Sequence, residues 1–575
     1  MNLFLGISAS TGIGIGKAFV VPESEKRVIP QNHILPGDRD KELKKFERSL
    51  ATVMTQIAAQ METVKDTSIP SNKVQREIFE TYYLMLNDPE FMKGVRTAFD
   101  KHDYNIAYIL NEKTEESAEM LEASGNEYLA ERAQDIRDIF GRVLDDLLDY
   151  HPFKIDTVPD GSVIVARSLN PSDTLILSKR KIAGLALIEG GVSSHVGILA
   201  RNYGIPAVFD LHKITEEIEQ GNTVIVDGTA GEVIDDPDAL AIDEYKKKIE
   251  EIKARQEFLT KFRDKPAQTK DGTKFKIMAN IGTVEEAELA ETEGADGIGL
   301  FRTEFLFMTN AASDMPPAHS RGAALSEESQ FEAYKKVLQI MKGKPVTIRT
   351  LDAGGDKIIN SAELKTADEK NPLMGLRAIR LSLANPNQLK TQFRALFRAA
   401  KFGDLKIMLP LITSVEQVEE ALRIAEKAKE ELRDEKADFD GNVPIGIMVE
   451  TAAAAMIADC LAKRAAFFSI GTNDLTQYTI GVDRENANVA SLYDEFHLAV
   501  LRLIDKTIKE AAAAGIGVSV CGEMASRNES AMVLGGMGVR TLSMSAKKIC
   551  KIKELLSRFT LDELKAISEK NLKNI

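Results

Sequence analysis

Between positions 38 and 150 apolar residues recur at steps of three and four. Leu43, Phe46, Leu50, Val53 and Ile57 form the first such stripe. Runs of the same kind at 74–86, 89–100, 105–121 and 127–148 predict a helical bundle. The flanking pattern differs. Residues 3–21 are rich in glycine and branched side chains, and from Gly161 to Ile234 the short runs SVIVA, GLALI, AVF and TVIVD alternate with turns. The simplest reading is one small α/β domain, residues 1–30 and 150–235, into which the bundle (31–149) is inserted. The charged stretch 237–262 has few turn signals and reads as a linker helix within 236–264.

After Lys265 the pattern changes again. The runs FKIMANI, DGIGLF, VTIRTL, LKIMLPL, IGIMVE, FFSIG, GVSVCGE and VRTLSMS are separated by amphipathic helices, some opened by capping patterns such as Thr283-x-x-Glu286 and Thr413-x-x-Glu416. Eight strand–helix units in roughly 300 residues predict a (β/α)8 barrel over 265–575. Chemistry in such barrels sits at the C-terminal strand ends. The polar residues expected there are Arg302, Thr303 and Glu304; Arg349 and Asp352; Glu450; Asn473 and Asp474; Cys521 and Glu523. Two arginines, several carboxylates and a thiol suit an anionic, metal-bound substrate.

Composition narrows the partners. A chain of 575 residues holds several domains, and its 44% apolar and 28% charged content is that of a globular protein. The formal charge of −14 argues against general nucleic-acid binding and permits a basic protein partner. Cys460, Cys521 and Cys550, three thiols in so long a chain, fit a reducing cytoplasm. The first twenty residues lack the basic flank and apolar core of a leader, and no run approaches the ~20 apolar residues of a membrane span.

The run GGVSSHVGILARNYGIPAVF, starting at Gly190, carries the sharpest signal. Gly190 and Gly191 permit a tight turn, Ser193 or Ser194 can cap the following helix, and that helix stops near Gly204 and Pro206. His195 then falls in the first helical turn, where unpaired amides favour an anion. An isolated histidine more often satisfies a core hydrogen bond; this one has a phosphate-binding setting around it. Neutral imidazole is nucleophilic near pH 7, so His195 reads as a phosphoryl carrier. His33, His102, His151, His212, His319 and His497 lack such a setting and read as surface or structural.

With these motifs in view, the chain resembles enzyme I of the bacterial phosphotransferase system, within the phosphoenolpyruvate-utilising enzymes. GISASTGIGIGKAF, GGVSSHVGILAR, GIGLFRTEFLFM, IRTLDAGGDK, NPLMGLRAIR, IMVETAAAA, FFSIGTNDLTQYTIGVDR and VSVCGEMA carry the resemblance, in order, over nearly the whole length. It implies a swivelling phosphohistidine domain with an inserted bundle that binds the carrier protein HPr, then a phosphoenolpyruvate-binding barrel that dimerises. By the resemblance His195 is the phosphorylated histidine. Arg302, Arg349, Arg484, Asn473 and Asp474 contact substrate, Glu450 and Asp474 hold Mg2+ beside it, and Cys521 protonates the enolate to give pyruvate. Arg377 and Asp352 are further candidates for support.

The sequence also departs from the family pattern. Val196 and Gly197 stand where the family often has threonine and a small residue, Ala452 where it usually has proline, and Tyr82 where members often carry a histidine facing HPr. Residues 310–324 look like an insertion. The run 82–86, with Phe79, is expected to meet the partner, and 237–262 to contain the hinge. Two rival readings are a related enzyme that phosphorylates a small molecule or nucleotide, and a regulatory protein that has lost the chemistry. The absence of an ATP-binding domain counts against the first, and the intact His, Arg, Glu, Asp and Cys set against the second.

Overall fold

A computed structural model describes residues 1–21, 29–63, 70–123, 127–150, 158–169, 177, 180–191, 194–309, 325–354, 371–484, 486 and 488–573. The expected insertion at 310–324 lies outside these. The chain divides into two compact units, Met1–Lys253 and Ala254–Ile575.

In the first unit eight strands form one sheet in the order β1-β8-β7-β3-β4-β5-β6-β2. They are β1 (Asn2–Leu5), β2 (Ile7–Ser10), β3 (Ile13–Val20), β4 (Ser162–Ala166), β5 (Gly184–Leu187), β6 (Ala207–Phe209), β7 (Thr223–Asp227) and β8 (Glu232–Asp235). The centre of the sheet, β3 to β6, is parallel, and its edges pair antiparallel. Strand β4 is buried along its whole length, which is why SVIVA reads as a continuous apolar run.

Between β3 and β4 the described residues form five α-helices: α1 (Arg39–Thr63), α2 (Pro70–Leu86), α3 (Pro89–Lys101), α4 (Ile106–Glu122) and α5 (Glu127–Leu147). Asp88 starts α3, its carboxylate accepting from the amides of Glu90 and Phe91 with Pro89 in the first turn. Phe46, Val53 and Ile57 of α1 enter one core with Phe79, Tyr82 and Leu86 of α2. This corrects one expectation. Tyr82 is fully buried, its hydroxyl donating to Asp138 at 2.6 Å, so Tyr82, Phe79 and Leu86 do not face a partner. Their i, i+3, i+7 spacing places them on the stripe that faces the core. In this run Tyr83 and Leu84 are the exposed pair.

In the second unit the eight predicted strands close into a parallel barrel: β9 (Lys276–Ile281), β10 (Ile298–Phe301), β11 (Val346–Arg349), β12 (Leu405–Leu409), β13 (Ile445–Val449), β14 (Phe467–Ile470), β15 (Gly517–Val520) and β16 (Thr541–Met544). Strand β9 pairs with both β10 and β16, which completes the ring. Ile277, Ile298, Ile348, Ile407, Ile447 and Phe468 are fully buried and join one core with the surrounding helices. The cap at Thr283 forms as read, with its hydroxyl on the Glu286 amide. The second cap is shifted by one residue: Ser414 and Gln417 make the capping box, not Thr413 and Glu416. The 237–262 stretch is helical over Ala239–Thr260. Among the described residues no helix is long and apolar enough to cross a membrane.

Candidate active site

The helix His195–Tyr203 opens as its motif requires. Ser194 is the cap; its hydroxyl oxygen accepts from the Gly197 amide at 3.2 Å. The helix ends at Gly204 in a left-handed conformation (φ 65°), one that favours glycine. Val196 is buried in the same apolar core as Phe209 and Leu187, so the residue after the histidine serves packing. His195 is the first residue of this helix and begins its first turn. Of the other histidines, His497 caps the helix Leu498–Ala513 through its ring nitrogen, His33, His102 and His212 are exposed, and His151 and His319 lie outside the described residues.

In the barrel the predicted residues sit at C-terminal strand ends. Arg302 follows β10, Arg349 ends β11, Glu450 follows β13, Asn473 and Asp474 open the helix Thr472–Ile480 after β14, and Cys521 follows β15. Several meet in one buried ionic network. Arg349 pairs with Glu304 and with Asp352, each at 2.6 Å. Asp352 also takes Arg377 at 3.0 Å, and Arg377 comes within 3.8 Å of Asp474. Arg484 lies 2.7 Å from Asp474. Burial alone would lower the Arg349 pKa; Asp352, Glu304 and Glu450 outweigh it and hold the guanidinium charged. Burial would likewise raise the Asp352 carboxyl, and Arg349 and Arg377 hold it below the usual range.

Glu450 is 2% exposed, with one oxygen accepting the Leu411 amide at 2.6 Å. Burial, then the nearby Asp474 and Asp352, push its carboxyl up to about 8. A Cβ at Gly471 would stand 3.0 Å from Glu450 Oε2, so glycine lets β14 end close against this carboxylate. Asn473 Oδ1 accepts the Glu523 amide at 2.8 Å, which leaves its amide protons for another acceptor. Thr451, beside Ala452, is anchored twice. Its hydroxyl donates to Ile412 O at 2.8 Å and caps the Ala454 amide at 3.1 Å.

Cys521 packs with Leu300, Met408 and Met448 at 3% exposure. Its amide bonds to Ile470 O at 3.1 Å, and its carbonyl accepts the Asn280 side chain at 2.9 Å. Burial pushes the thiol up, so it is held in the neutral form. Cys550 is buried and Cys460 exposed. Arg302 and Cys521 share a cleft of about 350 Å³ that reaches Lys548.

Sequence reasoning missed two residues here. Tyr478 bonds Arg377 at 3.3 Å, and its place one helical turn after Asp474 was the available signal. Lys548 follows the last strand, whose C-terminal end the strand-end reading did not cover.

Family models match in three segments: the N-terminal part of phosphoenolpyruvate-utilising enzymes over residues 5–132, their mobile domain over 158–231, and their phosphoenolpyruvate-binding domain over 256–561. Phosphoenolpyruvate-protein phosphotransferases of Staphylococcus carnosus and Haemophilus influenzae are each 37% identical over 565 residues, covering 98% of this chain and 95% of theirs. That of Bacillus subtilis is 37% identical over 573 residues, 100% of this chain and 97% of its own. With three family segments in order and relatives matched end to end, the chain belongs to the phosphoenolpyruvate-protein phosphotransferases of the phosphoenolpyruvate-utilising enzyme family.

Proposed function

We propose that this enzyme takes the phosphoryl group of phosphoenolpyruvate onto His195 and passes it to a histidine of the carrier HPr, releasing pyruvate and starting sugar uptake. The observation that carries this reading is the set Arg302, Arg349, Glu450, Asp474 and Cys521 at the ends of five strands of one barrel. Guanidinium groups bind carboxylate and phosphate with paired hydrogen bonds, and Arg349 and Arg377 each keep a buried Nε with no acceptor among the described residues.

In the proposed step an imidazole nitrogen of His195 attacks phosphorus as the bond to the enol oxygen breaks. Arg302, Arg349 and Arg484 bind the substrate's anionic groups, and Asn473 donates to phosphate oxygen. The enolate left behind takes a proton on its methylene carbon from the Cys521 thiol, and the thiolate regains one from water. Mg2+ belongs to the same reading. Glu450 and Asp474 offer hard oxygen atoms near enough to repel, and two carboxylates suit an ion that keeps places for substrate oxygens and water. Bound there, it would spread the charge of the transferring group. The phosphorylated helix must then leave the barrel for HPr, with its hinge within 237–262. Homodimerisation through the barrel and a cytoplasmic setting complete the proposal; Met456 and Leu492, both exposed, are apolar side chains such a contact would cover.

The test incubates the protein with Mg2+ and phosphoenolpyruvate and measures pyruvate and acid-labile phosphate on the chain. A burst of one per chain, absent in His195→Ala, is expected, with sustained turnover once HPr is added. No burst, or a full burst in His195→Ala, overturns the assignment.

A further inference from the structure

The cleft at the barrel mouth holds positive charge of a different kind from the network beside it. Arg349, Arg377 and Arg484 are each paired with carboxylates. Arg302 and Lys548 both line the cleft, and among the described residues neither makes an ion pair. The glutamates of the same cleft are already engaged. Glu286 accepts the Gly282 amide at 2.6 Å, and Glu523 pairs with Arg527 at 3.2 Å. Lys548 is also tethered. Its ammonium donates to Ser526 Oγ at 3.1 Å, and that hydroxyl donates to the Glu523 carbonyl at 3.0 Å. One of three ammonium protons is thereby used and two remain. Two unpaired cations in one concave wall raise the local concentration of anions and favour a bound oxyanion.

We infer that Lys548, together with Arg302, forms an oxyanion subsite of the phosphoenolpyruvate site. The inference rests on the function proposed above. Cys521 lies in the same wall, so a substrate anchored by Arg302 and Lys548 places its methylene carbon within the thiol's neighbourhood. A lysine is a point charge that serves carboxylate and phosphate oxygens alike. Lys547, its neighbour in the same exposed turn, does not line the cleft.

The test is steady-state phosphoryl transfer to HPr by Lys548→Gln, Lys548→Arg and Lys547→Gln, with thermal melting of each. Losing one charge-assisted contact at an exposed site raises KM for phosphoenolpyruvate about tenfold in Lys548→Gln. The contact is made in ground and transition states alike, so kcat stays within about twofold. Lys548→Arg restores most of the affinity, Lys547→Gln matches the parent, and all melt alike. Inhibition by pyruvate and by inorganic phosphate separates the two sources of the oxyanion: whichever weakens in Lys548→Gln names the group that the subsite holds. An unchanged KM in Lys548→Gln, or a change in kcat in its place, overturns the subsite. A parent protein that takes no phosphoryl group from phosphoenolpyruvate overturns the function instead.

Discussion

The guanidinium of Arg349 and the carboxylate of Asp352 meet at 2.6 Å with side chains 8% and 6% exposed, and Asp352 bridges onward to Arg377 at 3.0 Å. One buried carboxylate therefore sets the direction of two arginines. Removing it leaves their charges buried with less compensation, which costs about 3–5 kcal/mol. Asp352→Ala should lose that much from the barrel's unfolding transition in denaturant. Asp352→Asn keeps the hydrogen-bonding shape, so it should lose less stability and still bind phosphoenolpyruvate more weakly. A wild-type melting curve for Asp352→Ala would contradict the bridging role.

Ser194 separates helix stability from phosphoryl chemistry. Ser194→Ala removes the bond to the Gly197 amide and should cost about 1 kcal/mol in the first unit's unfolding. Ser194→Asp is an equally good cap but puts an anion where the phosphoryl group is to sit. Its melt should match the parent while phosphate uptake from phosphoenolpyruvate slows at least several-fold. Equal rates in Ser194→Asp and the parent would place the phosphoryl group away from this turn.

The bundle divides a core residue from a surface one within a single turn. Tyr82→Phe leaves buried Asp138 without its 2.6 Å partner and should cost about 1–3 kcal/mol, with the KM for HPr unchanged. Leu84 is 60% exposed, and Leu84→Glu should raise the KM for HPr several-fold with no change in melting. The reverse pattern would move the partner face elsewhere.

These residues also show what the sequence made legible. The barrel mouth was readable because each strand is a compact apolar run, so its last residue can be numbered. Arg302, Arg349, Glu450, Asn473, Asp474 and Cys521 all fell where that rule put them. Tyr82 was misread although its spacing from Phe79 and Leu86 marks the core stripe; the family resemblance pulled it toward the partner. The cap at Ser414 was missed by one because Thr413 and Ser414 are equally good capping residues, and only the backbone decides between them. Glu304 was numbered but not its role. Its pairing with Arg349 spans 45 positions, and no local pattern reports that.

The Cys521 thiol is raised by burial, so it carries less thiolate at any given pH than an exposed cysteine. The sign follows for two measurements. Iodoacetamide at pH 7–8 should label exposed Cys460 well before Cys521, with Cys521 labelling rising only as the pH climbs past the ordinary thiol range. The neutral donor likewise persists, so pyruvate release should show no loss from this group through pH 8. Cys521→Ala should retain phosphate uptake on His195 and slow pyruvate formation. Mass spectrometry that finds Cys521 labelled as fast as Cys460 at pH 7 would sink the neutral-donor role.

Glu450 offers opposite signs for stability and function. Its carboxylate is buried with Asp474 and Asp352 near it, and like charges in a poorly solvated site oppose ionisation. Glu450→Gln is neutral at every pH, so it carries neither the cost of burying that charge nor the cost of protonating the group on folding, and it still offers an oxygen to the Leu411 amide. The metal-free variant should therefore melt at or above the parent temperature. If Glu450 helps hold the ion, the same variant should lose the rise in melting temperature that Mg2+ gives the parent, because binding to the folded state stabilises it by mass action. Phosphoryl uptake should fall by several orders of magnitude and not recover at high Mg2+. A variant that keeps both the Mg2+ shift and its activity would remove Glu450 from the ion site, whatever its effect on stability.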